Sequence, residues 1–379
     1  MKYVDEFRNG KQAQAIAKRI AELVKTLQVS KQRPLQFMEV CGGHTHSIFR
    51  YGLAQFLPEE IEFVHGPGCP VCVLPMGVVD DCISIAEQPG VIFTTFGDAM
   101  RVPGSKKSLL QAKAEGHDVR MVYSPLDALQ IAKQNPQREV VFFGLGFETT
   151  MPSTALTLQQ AAKEQVKNFS LFCNHITIIP TIKAMLDSPD MRLDGFLGPG
   201  HVSMVIGSQP YEFISRDYHR PLVIAGFEPL DILQSVYMLV KQLVDGRCEI
   251  ENQYERIVPQ MGNEVALRSI GDVFELREFF EWRGMGSIDH SGVRIREKYA
   301  DFDAERKFSM PRLKIADPDA AQCGEVVTGV IKPEQCKLFG KSCTPQTPIG
   351  ALMVSTEGAC AAHYHYGQIE IPLSQVVSR

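Results

Sequence analysis

Apolar positions along the chain follow three different rhythms. Over residues 11–27, Ile16, Ile20, Leu23, Val24 and Leu27 recur at helical spacing and predict an amphipathic helix packed on a core. From 35 to about 226, short, nearly continuous apolar runs alternate with helix-like stretches. The runs are LQFMEV (35–40), IEFV (61–64), VIFTTF (91–96), VRMVY (119–123), EVVFFGL (139–145), SLFC (170–173), DGFL (194–197) and PLVIAGF (221–227). Such runs, separated by helices, predict parallel strands covered on both faces, and so an α/β class. Eight strands also permit a closed (β/α)8 barrel, which ranks second because the spacings are irregular. Residues 140–158 and 221–239 echo each other as strand, Gly-Phe-Glu, helix. The echo hints at duplicated halves without amounting to a repeat. Beyond about 240 the chain turns polar and Gly-rich, and 321–361 gathers four cysteines among turn residues.

The runs end in unusual sequences: CGGHTH, HGPGCPVC, GDAMRVPGS, SPLDA, GFETT, NHIT, GPGHVS and GFEP. In α/β sheets and barrels, sites form outside the carboxyl ends of the strands. These eight endings are therefore expected to converge on one or two shared clefts.

Composition narrows the function classes. Among 379 residues, 44% are hydrophobic and 22% charged, with a formal charge of −5, the balance of an ordinary globular protein with no basic block for nucleic acid. No apolar run approaches the ~18 residues of a membrane span, and MKYVDEFRNGKQ lacks the apolar stretch of a signal peptide. A cytoplasmic location is expected. There, 10 cysteines point to metal or thiol chemistry rather than to structural disulfides.

Cys323, Cys336, Cys343 and Cys360 lie within 38 residues, enough to close a tetrahedral site for structural zinc or an iron–sulfur cluster. Their spacing leaves the two open. Cys69 and Cys72 form a CxxC framed by Gly and Pro, readable as a redox dithiol, a ligand pair, or two inert buried thiols. The frame also predicts backbone amides facing the sulfurs and a lowered thiol pKa. Cys41 follows a strand and precedes two glycines, His44 and His46. The glycines allow close backbone approach, leaving room for a partner's terminal residue, and the imidazoles suit ligation or proton transfer. Glu148 and Glu228 read equally as acid/base groups or helix caps, and His175 and His201 at least as well as hydrogen-bonded core histidines. Cys82, Cys173 and Cys248 have no partner at a telling spacing. Gly340-Lys341-Ser342 and Gly144-Leu145-Gly146 imitate phosphate loops but lack required glycines.

Through CGGHTH (41–46), GPGCPVC (66–72), GDAMRVPGS (97–105), GFETT (146–150), PGHVS (199–203) and the four C-terminal cysteines, the chain resembles the HypD family of [NiFe]-hydrogenase maturation factors. The resemblance runs from about residue 3 to about 367 and leaves the tail unassigned. It implies two similar parallel-sheet α/β domains flanking a cleft, plus a smaller C-terminal domain with a [4Fe-4S] cluster that also packs the N-terminal helix. The expected division is 1–34 for the helical segment, 35–120 and 121–240 for the α/β domains, and 241–379 for the cluster domain. It further implies a scaffold, monomeric apart from its partners. There, with the small chaperone HypC, the Fe(CN)2CO group is assembled using cyanide from the HypE–HypF system. Under this resemblance Cys41 is the thiolate for the iron under construction, Cys69 and Cys72 are the redox or accessory ligands, His44 is a helper, and the four C-terminal cysteines hold the cluster. The alternative is a cluster-dependent thiol/disulfide oxidoreductase that turns over by itself. The physical logic agrees, since strong-field cyanide and CO favour low-valent iron that needs soft anchors and electrons.

Overall fold

Each of the eight apolar runs forms a strand: β1 (Leu35–Glu39), β2 (Ile61–His65), β3 (Val91–Thr95), β4 (Val119–Met121), β5 (Glu139–Gly146), β6 (Phe169–His175), β7 (Gly195–Pro199) and β8 (Leu222–Ala225). A ninth, β9 (Ile250–Asn252), sits in the polar stretch where no apolar run announced it. This computed structural model describes residues 5–188 and 192–367; the unassigned tail lies outside them.

The nine strands form two wholly parallel sheets, ordered β2-β1-β7-β8-β9 and β4-β3-β5-β6. Counted along the chain within each sheet, both share the order 2-1-3-4, which is doubly wound, so the α/β class holds and the barrel does not. Strand partnership departs from the division expected at residue 120. The second sheet is encoded wholly between β2 and β7, as an insertion into the first. The sequence echo also joins unlike elements, since β5 is third in its sheet and β8 fourth.

The N-terminal helix Gly10–Val24 starts on Asn9, whose side chain accepts from the amides of Lys11 and Gln12. It buries Ala13, Ile20 and Val24 against Leu233, Val236 and Val240 of the helix Pro229–Val244. Arg8 pairs with Glu228 at 2.5 Å, and Phe7 lies under the Arg256 guanidinium at 4.1 Å. Its apolar face therefore completes the first sheet's helical layer instead of packing on the cysteine-rich segment.

Two short antiparallel pairs, β10 (Phe274–Leu276) with β13 (Val293–Ile295) and β11 (Phe279–Trp282) with β12 (Gly286–Asp289), occupy the polar stretch. The cysteine-rich segment shares one core with the second sheet's surroundings. Val326, Leu352, Met353 and Ala361 pack in the same cluster as Val71, Cys72, Phe143 and Phe147.

Because β1 and β2 are neighbours in register, the loops that follow them interlock. Gly66 N–H donates to Glu39 O at 2.9 Å and Gly42 N–H to Gly68 O at 3.1 Å. A Cβ on Gly68 would lie 2.1 Å from Cys41 N, backbone that cannot give way. Gly68→Ala is therefore expected to cost about 3 kcal/mol by overpacking, read as a lower urea midpoint, and to raise the reactivity of Cys41 toward alkylation.

Candidate functional site: a thiol-lined cleft and a four-cysteine pocket

In a 2-1-3-4 sheet the strand order reverses between the first and third strands, and the crevice outside their carboxyl ends is the place for a ligand. Cys41 leaves β1 at that point in the first sheet, and Pro199-Gly200-His201 leaves β7 beside it. The second sheet's reversal brings Phe96-Gly97-Asp98 after β3 next to Phe147–Thr150 after β5. Both reversals border one cleft of about 580 Å³, whose walls include Cys69, Asp98, Thr150, His201 and Glu357.

Cys41 is fully buried and caps the helix Gly42–Arg50. Its Sγ lies 3.3 Å from Nδ1 of His201. Burial pushes the thiol well above its ordinary range and brings His201 down to about 4, so the pair stands as neutral thiol and neutral imidazole. Beneath Cys41 the buried carboxylate of Glu39 accepts from the Cys41 amide at 3.2 Å, from the Thr45 hydroxyl, and from Nδ1 of His65 at 2.6 Å. Burial raises the Glu39 pKa, while His65, Thr45 and the Cys41 amide oppose the rise.

His44 is buried too. Its Nε2–H donates to the carbonyl of Ala225 at the end of β8, at 3.1 Å, which leaves Nδ1 as a buried lone pair without a partner. Its ring stacks on Phe227 at 4.8 Å, and the His201 ring lies 5.3 Å from the same Phe227. The space beside the two glycines is taken by this chain itself: side chains added there would meet Glu357 from Gly42 and Phe227 from Gly43. That corrects the expectation of open room for a partner's residue at these glycines.

The CxxC forms a tight turn closed by Cys72 N–H to Cys69 O at 3.1 Å, with the sulfurs 2.6 Å apart. Such a turn holds its end Cα atoms within about 7 Å, compatible with a disulfide. The expected amide stabilisation of a thiolate is not what dominates. Burial, then the neighbouring Cys69, raise the Cys72 pKa well above its usual value. Cys72 Sγ also lies 2.9 Å from where a Cβ on Gly358 would stand, two residues before Cys360.

Cys323, Cys336, Cys343 and Cys360 all line one small pocket, otherwise walled by Ala321, Val326, Leu338, Phe339, Gly350, Leu352 and Met353. Among the described residues, no three of these sulfurs lie mutually within 4.8 Å. Gly350 permits the approach of Cys323, whose sulfur would stand 2.2 Å from an added Cβ. Burial lifts Cys323 to about 12 and raises Cys360 well above its ordinary range, so an incoming metal centre would have to displace protons.

The other residues singled out by sequence divide cleanly. His175 is a core histidine, its ring nitrogens facing Gly146 O at 3.3 Å and Thr154 Oγ1 at 3.1 Å. Glu228 opens the helix Pro229–Val244 and holds Arg8. Glu148 accepts from Ile178 N–H at 3.0 Å, so it caps the helix Ile178–Leu186 rather than its own, and its second oxygen is buried without a partner. Sequence reasoning missed Glu39, hidden inside a strand, and Glu357, in a turn with no motif of its own. It ranked His201 no higher than His175.

No helix among the described residues is long and apolar enough to cross a membrane. The fold and site thus define a doubly wound α/β protein with thiols at its strand ends and a four-cysteine pocket. Residues 11–367 match the profile described as HypD: Hydrogenase formation hypA family. The hydrogenase maturation factor HypD of Rhodobacter capsulatus is 60% identical over 371 residues, 97% of this chain and 98% of that protein. The protein of the same name from Escherichia coli (strain K12) is 58% identical over 370 residues, 98% and 99% of the two chains. That of Rhizobium leguminosarum bv. viciae is 52% identical over 386 residues, 100% and 99%. The chain belongs to the HypD family of hydrogenase maturation factors.

Burial alone raises Glu148 to about 7 from the usual 4.5. Below about 4.5 the carboxyl is protonated both folded and unfolded, and its burial costs least. As pH rises toward 7 the unfolded chain releases the proton first, so stability falls across that window. Glu148→Gln is expected to flatten this decline, by up to about 3 kcal/mol at pH 7, in chemical denaturation compared at pH 5 and pH 7.

Proposed function

We propose that this chain is an assembly scaffold for the Fe(CN)2CO group of [NiFe] hydrogenases. It works with a small chaperone of the HypC type and accepts cyanide from the HypE–HypF system. The observation that carries the reading is the contact of Cys41 with His201, which together with Cys69 of the CxxC lines the one cleft bordered by both strand-order reversals. Cys41 is the anchor for the iron under construction. Its thiol is kept neutral by burial, and iron arriving there displaces the proton. Glu39 fixes the backbone at Cys41, so the sulfur is presented at one position in the absence of cargo. Cys69 and Cys72, already in contact, interconvert between dithiol and disulfide without moving the loop.

Cys323, Cys336, Cys343 and Cys360 are assigned to a [4Fe-4S] cluster. Tetrahedral zinc, with bonds of about 2.3 Å to sulfur, draws its ligands to about 3.8 Å of one another. These four stand wider around an apolar pocket, which supports the larger centre. When bound, that centre would supply one-electron redox chemistry close to the dithiol.

Anaerobically prepared protein is expected to hold about four iron per chain. Stoichiometric zinc in place of iron would reject the cluster. The complex with the small chaperone is expected to show infrared bands of iron-bound CO and cyanide. Cys41→Ala should lose those bands and keep the cluster iron. Bands that survive in Cys41→Ala, or steady turnover of a disulfide substrate by the chain without partners, would favour the oxidoreductase reading instead.

A further inference from the structure

Three histidines near strand ends on this side of the molecule, His44 and His175 buried and His201 half-buried, are employed differently. His44 donates to a backbone carbonyl. His175 faces a carbonyl and a hydroxyl. His201 has neither. Among the described residues, the one hydrogen-bond contact of its ring is with the Cys41 thiol, a weak partner. The His201 ring is held beside that thiol, against the Phe227 ring, with its edge on the cleft. It also leaves the strand next to that of Cys41, on the side away from the CxxC. Cys41 is thereby flanked by thiols on one side and an imidazole on the other.

From this placement we infer that His201 is a second protein ligand of the iron, and that Cys41 and His201 grip it together as a thiolate–imidazole pair. The inference rests on the scaffold reading above. The separation fits. Metal bonds of about 2.3 Å to sulfur and about 2.1 Å to nitrogen place the two donors about 3.1 Å apart at a right angle and about 3.6 Å apart at a tetrahedral one. The observed 3.3 Å lies between, so both donors can reach one ion with small adjustments. The donor set is apt as well, since thiolate with imidazole suits iron, whereas oxygen donors would favour harder ions. A low-spin iron prefers octahedral coordination. With two cyanides and one CO bound, Cys41, His201 and one donor from the partner would complete six-coordination. Ferrous iron displaces the Cys41 proton, which leaves to solvent, and takes up the imidazole lone pair. No electron changes hands in this step.

Infrared spectra of the scaffold–chaperone complex test this, because CO and cyanide stretching frequencies follow the other donors on the same iron and the cluster contributes nothing to them. His201→Gln and His201→Ala are expected to bind iron with shifted bands, or to lose about one non-cluster iron per complex while keeping the cluster. In His201→Ala, added imidazole should restore the bands, and imidazoles of graded basicity should move them in order. A ligand role predicts that ordering; a proton-accepting or packing role does not. Wild-type band positions in a loaded His201→Gln complex would overturn the assignment, as would iron loss that no imidazole restores. If the wild-type complex itself carries no bands, or Cys41→Ala retains them, the scaffold reading has failed and the His201 assignment falls with it.

Discussion

The chemistry of this molecule depends on one constraint, the parallel pairing of β1 with β2 on one edge and β7 on the other. Parallel strands all finish at the same end of the sheet, about 4.8 Å apart. The loop after the middle strand is therefore flanked by the loops after its two neighbours. Cys41 follows the middle strand, the CxxC follows one neighbour, and His201 follows the other. No long-range packing had to be tuned to bring a thiol, a dithiol and an imidazole together; strand order did it. The interlocked amides between 39–42 and 66–68 then fix the loops to within hydrogen-bond tolerance.

Burial sets the state of several thiols and imidazoles of the two sites. Cys41, Cys72, Cys323 and Cys360 are all driven toward the protonated thiol, and His44 and His201 toward neutral imidazole. Neutral donors tolerate an apolar surrounding that naked charges would not. The same surrounding makes a bound cation valuable, because a metal that replaces the protons pairs its charge with the thiolates at short range. Burial raises the Glu39 pKa too, but against opposition. Its carboxyl is buried, but an amide, a hydroxyl and His65 converge on it, which is how a potential charge is kept tolerable inside a core.

Much of this was legible in the residues. The eight apolar runs marked eight strands to within two residues at either end, because a strand buried on both faces needs nearly uninterrupted hydrophobicity. The loop motifs marked where chemistry gathers. Strand partnership was not legible. Nothing in the run VIFTTF says that it joins a different sheet from LQFMEV, since both are simply apolar and parallel-sheet crossovers can be long. The partner of the N-terminal helix was hidden for a related reason: its stripe of Ala13, Ile20 and Val24 states that it packs, but not on what. His201 and His175 look alike in sequence, each a histidine at a strand end. Only the carbonyl that faces one and the thiol that faces the other separate their roles.

The nesting of one sheet inside the other has a consequence for how the protein is made. β1 and β2 leave the ribosome early, but β7, the other partner of β1, begins at Gly195, after the whole second sheet has been synthesised. The inserted sheet can close from its own consecutive strands, while the outer sheet must wait for a contact that spans well over a hundred residues of chain, with the slower closure that such separation brings. During that interval the nascent Cys41 lacks the strand and the histidine that later enclose it. The enclosed thiol is thus a late product of folding, and a chain truncated before residue 195 would present an unguarded cysteine in place of a thiol enclosed beside an imidazole.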